Sequence, residues 1–174
     1  MPQRTDGRGP KRLTTAAVLI ALGIALQVLE SMAPIPVAIP GGKLGLANIA
    51  TVMTLFLFDA KTAFAVALLR SALGSLLYGG VSGMLYSVAG AAFSAAVMVL
   101  LRRYARGKLS IVGVSIAGAV CHNAAQVTVA ALVLGNVWIY TYLPLLGLLA
   151  AVTGMFTGLA GRFAVVHLQG GRQE

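Results

Sequence analysis

The chain has 174 residues, of which 59% are hydrophobic and only 10% are charged, and its mean hydropathy is +0.91. A soluble domain of this length could not cover so much apolar surface with so few charged side chains, so the composition predicts one membrane-embedded domain. The formal net charge of +9 does not indicate nucleic-acid binding, because the basic residues flank apolar runs and form no solvated basic face with aromatic residues. The single cysteine, Cys121, lies in an apolar run and allows no intrachain disulfide.

Six apolar runs separated by short polar segments predict an all-α, polytopic bundle of six transmembrane helices. The predicted spans cover residues 13–33, 44–58, 62–78, 84–101, 109–134 and 143–166. They form a single domain over 13–168, with a disordered basic tail at 1–12 and a second tail at 169–174. The second and third spans are short for about 30 Å of hydrocarbon, which leaves a tight, tilted hairpin as an alternative.

Charge predicts the orientation of these spans. Apart from Lys43 and Arg70, the lysines and arginines all fall on the tails or loops of one side or, for Arg162, near the end of the last span on that side. By the positive-inside rule this side is cytoplasmic, so we expect a multi-pass protein of a bacterial plasma membrane with both termini in the cytoplasm. Trp138, with two nearby tyrosines, is typical of an aromatic belt at the other interface.

Two ionisable residues within the spans are candidates for function, since a charge at the bilayer centre costs about 2.5–3.5 kcal/mol. Arg70 lies near the middle of the third span, and Glu30 lies near the outer end of the first. Arg70 either pairs with Glu30 to pin two helices or binds an anionic group of a substrate. Glu30 either faces a binding site or reaches the outer interface.

The densest polar group is His122, Asn123 and Gln126 in the fifth span, which cover an arc of about 100° on a helical wheel. Hydrogen bonding between helices is one explanation, but three such residues in one turn favour a binding site. At the start of the second span, Lys43 and Asn48 suit an anionic ligand, or Lys43 simply reaches the interface. The only other histidine, His167, lies in the cytoplasmic tail, and no cysteine besides Cys121 is present, so no metal site is predicted.

Several catalytic patterns are missing from the sequence. No G-x-x-x-x-G-K-[ST] motif for ATP hydrolysis occurs, and no cluster of carboxylates is present to hold Mg²⁺ and a diphosphate. The chain is therefore predicted not to be an enzyme, or at most to be an accessory subunit of one, and no cofactor is expected.

Residues 42–49, Gly-Lys-Leu-Gly-Leu-Ala-Asn-Ile, resemble a known bacterial membrane family, and the match continues around Arg70 and around His122. This is the family labelled heptaprenyl diphosphate synthase component I, also called the Gx transporter family. The resemblance covers nearly the whole chain, from the first span to the sixth. The label implies an accessory, non-catalytic membrane subunit in prenyl diphosphate or quinone synthesis.

The layout is also similar to that of the substrate-capture (S) components of energy-coupling factor transporters. Those are small six-helix proteins with an Ala-x-x-x-Ala face on the first helix, here Ala17, Ala21 and Ala25. The likeness implies that this stripe docks on a membrane coupling subunit, that separate ATPases supply energy, and that a small molecule binds near the outer face. It places the pocket near Lys43, Asn48, Tyr86, Asn123, Gln126 and Trp138. Three hypotheses remain: an importer subunit for a vitamin-like or isoprenoid/quinone-precursor molecule, the accessory synthase subunit, or a structural anchor for an extracytoplasmic redox protein.

Overall fold

The computed structural model describes residues 8–32, 45–78, 80–105 and 108–170. Over these residues the chain forms six α-helices and one short 3₁₀ helix, which confirms the predicted all-α class. The helices are α1 Arg8–Met32, α2 Asn48–Leu57, α3 Ala60–Tyr78, α4 Gly80–Tyr104, α5 Ile111–Leu134, the 3₁₀ helix Val137–Tyr142, and α6 Leu143–Gly170. Lys43, the proline-rich segment before it and the outermost parts of both predicted tails lie outside the described residues.

Five helices, α1 and α3 to α6, are long and apolar enough to cross a membrane. Their outer faces carry large exposed apolar side chains, among them Leu73, Phe93 and Phe163. Such a surface is costly in water but suits a hydrocarbon solvent, so the fold is a polytopic membrane bundle. The second predicted span, already short in the sequence, is shorter still in the structure: the ten residues of α2 rise only about 15 Å, half of the hydrocarbon thickness.

Helix α2 is the centre of the bundle, and it contacts all five of the other α-helices. Seven of its ten residues are buried. These buried residues lie on every side of the helix, so protein and not lipid surrounds most of α2. The short helix therefore acts as a core element on which the five longer helices pack.

Helix α2 begins at Asn48 and not at Leu44, because the preceding residues form a turn. Gly45 has φ +83°, which a residue with a side chain rarely adopts, and the Asn48 amide donates to the Gly45 carbonyl over 2.9 Å. The Glu30 carboxylate accepts hydrogen bonds from the amides of Gly45 and Leu46, which holds this turn against α1. An apolar run in the sequence does not distinguish such a turn from helix.

Helix α1 begins at Arg8, within the basic stretch 1–12 that was expected to be disordered. Pro10 does not prevent this, because the amides of a first helical turn have no carbonyl partner in any case. The Arg12 guanidinium donates to the Asp59 carboxylate and to the Thr62 hydroxyl, so the start of α1 is bound to the start of α3. We call this end of the bundle, which also exposes Lys61, Arg102 and Arg103, the basic end.

Asp59 gives this end of the bundle a small dependence on pH. The Thr62 amide and then the Arg12 guanidinium lower the pKa of Asp59 from 3.8 to about 2. Because the pKa is lower in the folded protein, the stabilisation is complete above about pH 4 and is lost as the pH falls towards 2. The side chain is 47% exposed, so solvent screening limits the effect to about 1 kcal/mol or less.

We therefore expect Asp59→Asn to lower the melting temperature slightly at pH 6 and to have no effect near pH 2. Asparagine keeps the oxygen that caps α3 and removes only the charge. Thermal unfolding of both proteins in detergent across this pH range measures the difference, and a difference that stays constant with pH would contradict the ion pair.

Candidate functional site

Polar side chains from five helices meet around a small cavity inside the bundle. Those that line it are Gln27, Glu30, Asn48, Arg70, Ser87 and His122. The free volume of this central cavity is about 10 Å³, which is of the order needed for one water molecule. Four of the residues that the sequence singled out, Glu30, Asn48, Arg70 and His122, are thus brought together.

Arg70 is buried, with 2% of its surface exposed, and its guanidinium is held by α2. It donates to Asn48 Oδ1 over 2.6 Å and to Thr51 Oγ1 over 3.3 Å. Its aliphatic stem crosses α1 at Gly23, where an added Cβ would lie 2.6 Å from Arg70 Cδ. The absence of a side chain at Gly23 therefore provides the space for an arginine between α1, α2 and α3.

Glu30 is also buried, with 3% of its surface exposed, and so does not reach the interface. Its two oxygens accept from the Gly45 amide over 2.6 Å and the Leu46 amide over 3.1 Å. The opposite charge of Glu30 also stabilises the Arg70 guanidinium electrostatically. One acid and one base thus share the lining of the cavity, and their formal charges balance.

Two more glycines make room for the polar side chains around the cavity. An added Cβ at Gly74 would lie 2.8 Å from Gln27 Cδ, whose amide donates to Ser75 Oγ over 3.1 Å. An added Cβ at Gly90 would lie 2.9 Å from both His122 Cε1 and Gln126 Cγ. Glycine on α3 and α4 therefore lets amide and imidazole groups lie directly against the neighbouring backbone.

The three polar residues of α5 contact two different helices, α4 and α6. His122 and Gln126 lie against Gly90 of α4, whereas Asn123 donates from Nδ2 to the Leu146 carbonyl of α6 over 3.3 Å. Asn123 therefore joins two helices, and neither Asn123 nor Gln126 is among the residues that line the cavity. Gln126 is 1% exposed, and neither its amide oxygen nor its amide nitrogen has a hydrogen-bond partner among the described residues. Nδ2 of Asn48 is also buried without a hydrogen-bond partner among the described residues.

Two further residues expected near the pocket do not line the central cavity. Tyr86 packs in an apolar cluster with Val127, Ile139 and Leu146, and Trp138 is 75% exposed on the 3₁₀ helix. Trp138 suits the interfacial belt better than a binding pocket, because an indole is stable at a membrane surface. Lys43 lies outside the described residues.

Sequence reasoning missed Ser87 and Gly90 of α4, which line or adjoin the cavity. With Ala91 and Ser94 they form a row of small residues at helical spacing, a signal that was present in the sequence. Ala17, Ala21 and Ala25 are all exposed on α1, whereas Gly23, Gln27 and Glu30 of the same helix are buried. The alanine stripe and the polar residues thus occupy different faces of α1.

A protein-family model described as heptaprenyl diphosphate synthase component I matches residues 19–164. The match includes the cavity residues of all five helices. Searches of curated proteins and of solved structures find no match to the chain. Since the matched region covers most of the sequence, the chain belongs to the heptaprenyl diphosphate synthase component I family.

Proposed function

We propose that this protein is the substrate-binding (S) component of an importer of the energy-coupling factor type, which takes up a small vitamin-like or isoprenoid/quinone-precursor molecule. The observation that carries the proposal is Gln126, whose buried amide has no hydrogen-bond partner among the described residues. It lies one helical turn from His122, which lines the cavity with balanced charges, and both side chains lie against Gly90.

The energetic cost of this arrangement supports binding over packing. A buried amide left without partners costs about 1–3 kcal/mol for each unsatisfied group. A purely structural role would be served better by leucine or methionine, or by an amide with a partner, as at Asn123. A ligand with a donor next to an acceptor would satisfy both amide atoms of Gln126 at once.

A vitamin-sized ligand requires the cavity to open. Pockets for such molecules usually enclose about 300 Å³ or more, far above the present free volume of about 10 Å³. The Gly45–Ala47 turn is attached to α1 by the two hydrogen bonds to Glu30, so its release is the step that we expect to widen the cavity. Substrate would then exchange at the end of the bundle opposite the basic end.

Two opposite faces of α1 suit two different roles, one in partner binding and one in substrate binding. The exposed alanine stripe provides a smooth surface on which a membrane coupling subunit could pack closely, as the likeness to S components implies. The opposite face lines the cavity, so both could be engaged at the same time. With the basic end in the cytoplasm, by the positive-inside rule, partner ATPases would act from that side.

We expect Gln126→Met to lower the occupancy of a retained small molecule about tenfold or more, since two hydrogen bonds of about 1 kcal/mol each are lost. The variant should be at least as stable as the wild type, because methionine has a similar shape and leaves nothing unsatisfied. Native mass spectrometry and thermal unfolding of protein purified from its native membrane measure the two effects.

Asn123→Leu is the matched control for this experiment. It removes a neighbouring amide on the same helix that already has a partner, so it should lower stability and leave the small molecule bound. A small molecule retained equally by wild type and Gln126→Met would contradict the proposal, as would its absence from the wild type.

The family description favours a second function, that of a non-catalytic membrane subunit of a heptaprenyl diphosphate synthase or another quinone-pathway enzyme. Purification of the tagged protein from its native membrane discriminates between the two. A coupling subunit with ATPases supports the importer, whereas a soluble, aspartate-rich prenyl synthase that gains activity in the complex supports the second function.

A further inference from the structure

A groove between α3 and α4 adjoins a basic pocket at the basic end of the bundle. The groove has a volume of about 690 Å³ and the pocket a volume of about 380 Å³. Ala60 and Val99 line both, so the two spaces adjoin. Neither space includes any residue of the central cavity, and neither enters the proposed transport function.

The walls of the groove are apolar and open to the surroundings of the bundle. Phe64, Ala65 and Leu68 line it from α3, and Ala96 and Leu100 line it from α4. Phe64 is 36% exposed and Leu100 is 50% exposed, so an occupant can enter from the side. From Ala60 to Leu68 the groove follows about 12 Å of helix, which matches part of a fatty-acyl chain.

The pocket at the end of this groove is positively charged. Arg102 and Arg103 line it, and Lys61 lies at the mouth of the groove. The guanidinium of Arg102 lies over the Phe56 ring, 4.9 Å from its centroid, which fixes its position. Asp59 also lines the pocket, but its carboxylate is already bound to Arg12 and Thr62. Arg102 and Arg103 thus line a pocket in which the one acidic residue among those described, Asp59, is already paired with Arg12.

We propose that this groove and pocket bind one anionic phospholipid of the adjacent leaflet. The phosphate and head group lie against Arg102 and Arg103, and one acyl chain lies along the groove between α3 and α4. The occupant is a bilayer lipid because the groove opens sideways into hydrocarbon and its polar end lies where a head group would. An anionic head group complements the arginines, whereas a zwitterionic one carries its own cation. The proposal does not depend on the proposed transport function.

The test uses the full-length protein in detergent and titrates it with two lipids of equal chain length, one phosphatidylglycerol and one phosphatidylcholine. Native mass spectrometry counts the lipids bound. We expect a single phosphatidylglycerol to bind about tenfold more tightly than phosphatidylcholine, since each basic side chain near the membrane surface favours an anionic lipid.

Three variants locate the site. Arg102→Gln with Arg103→Gln should remove the preference for phosphatidylglycerol. Ala65→Phe should weaken both lipids, because residue 65 is exposed in the groove and a phenyl ring there fills it without entering the core. Arg162→Gln, which removes an exposed arginine of α6 outside the groove and pocket, should change neither.

Other outcomes would overturn the proposal. Equal affinity for the two lipids, or an equal loss in the Arg162→Gln control, would mean that the site does not recognise the head group. Binding of inorganic phosphate as tight as that of phosphatidylglycerol would remove any role for the groove. Displacement of phosphatidylglycerol by a lower concentration of farnesyl diphosphate would replace the phospholipid with an isoprenoid diphosphate.

Discussion

Arg70→Met should lower the free energy of unfolding by about 3–5 kcal/mol, because it leaves Glu30 as a buried charge without its compensating cation. It also removes the donors that bind Asn48 and Thr51 of the central helix α2. Unfolding by a denaturing detergent in mixed micelles gives the free energy directly. Arg162→Met, an exposed arginine of α6, is the matched control and should change it by no more than about 0.5 kcal/mol.

A double-mutant cycle separates the charge effect from the loss of packing. Glu30→Gln alone should also destabilise, since Arg70 is then uncompensated and the carboxamide offers one acceptor to the two amides of Gly45 and Leu46. The double variant Glu30→Gln with Arg70→Met should be more stable than the sum of the two effects predicts. Additive effects would show that Glu30 and Arg70 are not coupled, and would leave Arg70 with its packing and its hydrogen bonds to α2.

Gly158→Ala should destabilise the protein by about 1–3 kcal/mol, because α5 and α6 are in backbone contact at this position. An added Cβ would lie 2.7 Å from Cα of Val112 and 2.9 Å from Cβ of Ser115, and a backbone atom cannot move aside as a flexible side chain can. The substitution must separate the helices and strain the 3.0 Å hydrogen bond between Ser115 and Thr157.

Gly147→Ala is the matched control for this substitution. It lies on the same helix, and nothing is within 4 Å of its added Cβ, so it should leave the stability unchanged or raise it slightly. Thermal unfolding of the two variants in the same detergent measures the contrast. Equal effects of the two substitutions would mean that close helix packing at Gly158 contributes nothing to the stability of the bundle.

Much of the site could be identified from the sequence by the free-energy cost of placing charged side chains in lipid. Arg70 and Glu30 stood out because charged side chains are expensive in lipid, and the structure buries both around one cavity. His122 and Gln126, which the helical wheel groups together, both lie against the same glycine of α4. Asn123 was not separable from them, because a helical wheel gives the direction of a side chain from its own axis and not the position of the neighbouring helices.

By itself, the sequence determined that the protein is an all-α membrane bundle with buried charges, because hydropathy and the cost of a charge in lipid depend only on the local chain. The family was also evident from the sequence, through the residues around Asn48, Arg70 and His122. Only the tertiary structure decided that α2 is a short helix at the centre of the bundle. A run of apolar residues is equally compatible with lipid and with protein around it, and the two cannot be told apart locally. The tertiary structure also showed which polar side chains occupy the space beside Gly23, Gly74 and Gly90. The sequence does not show this, because it does not tell which side chain packs against a given glycine.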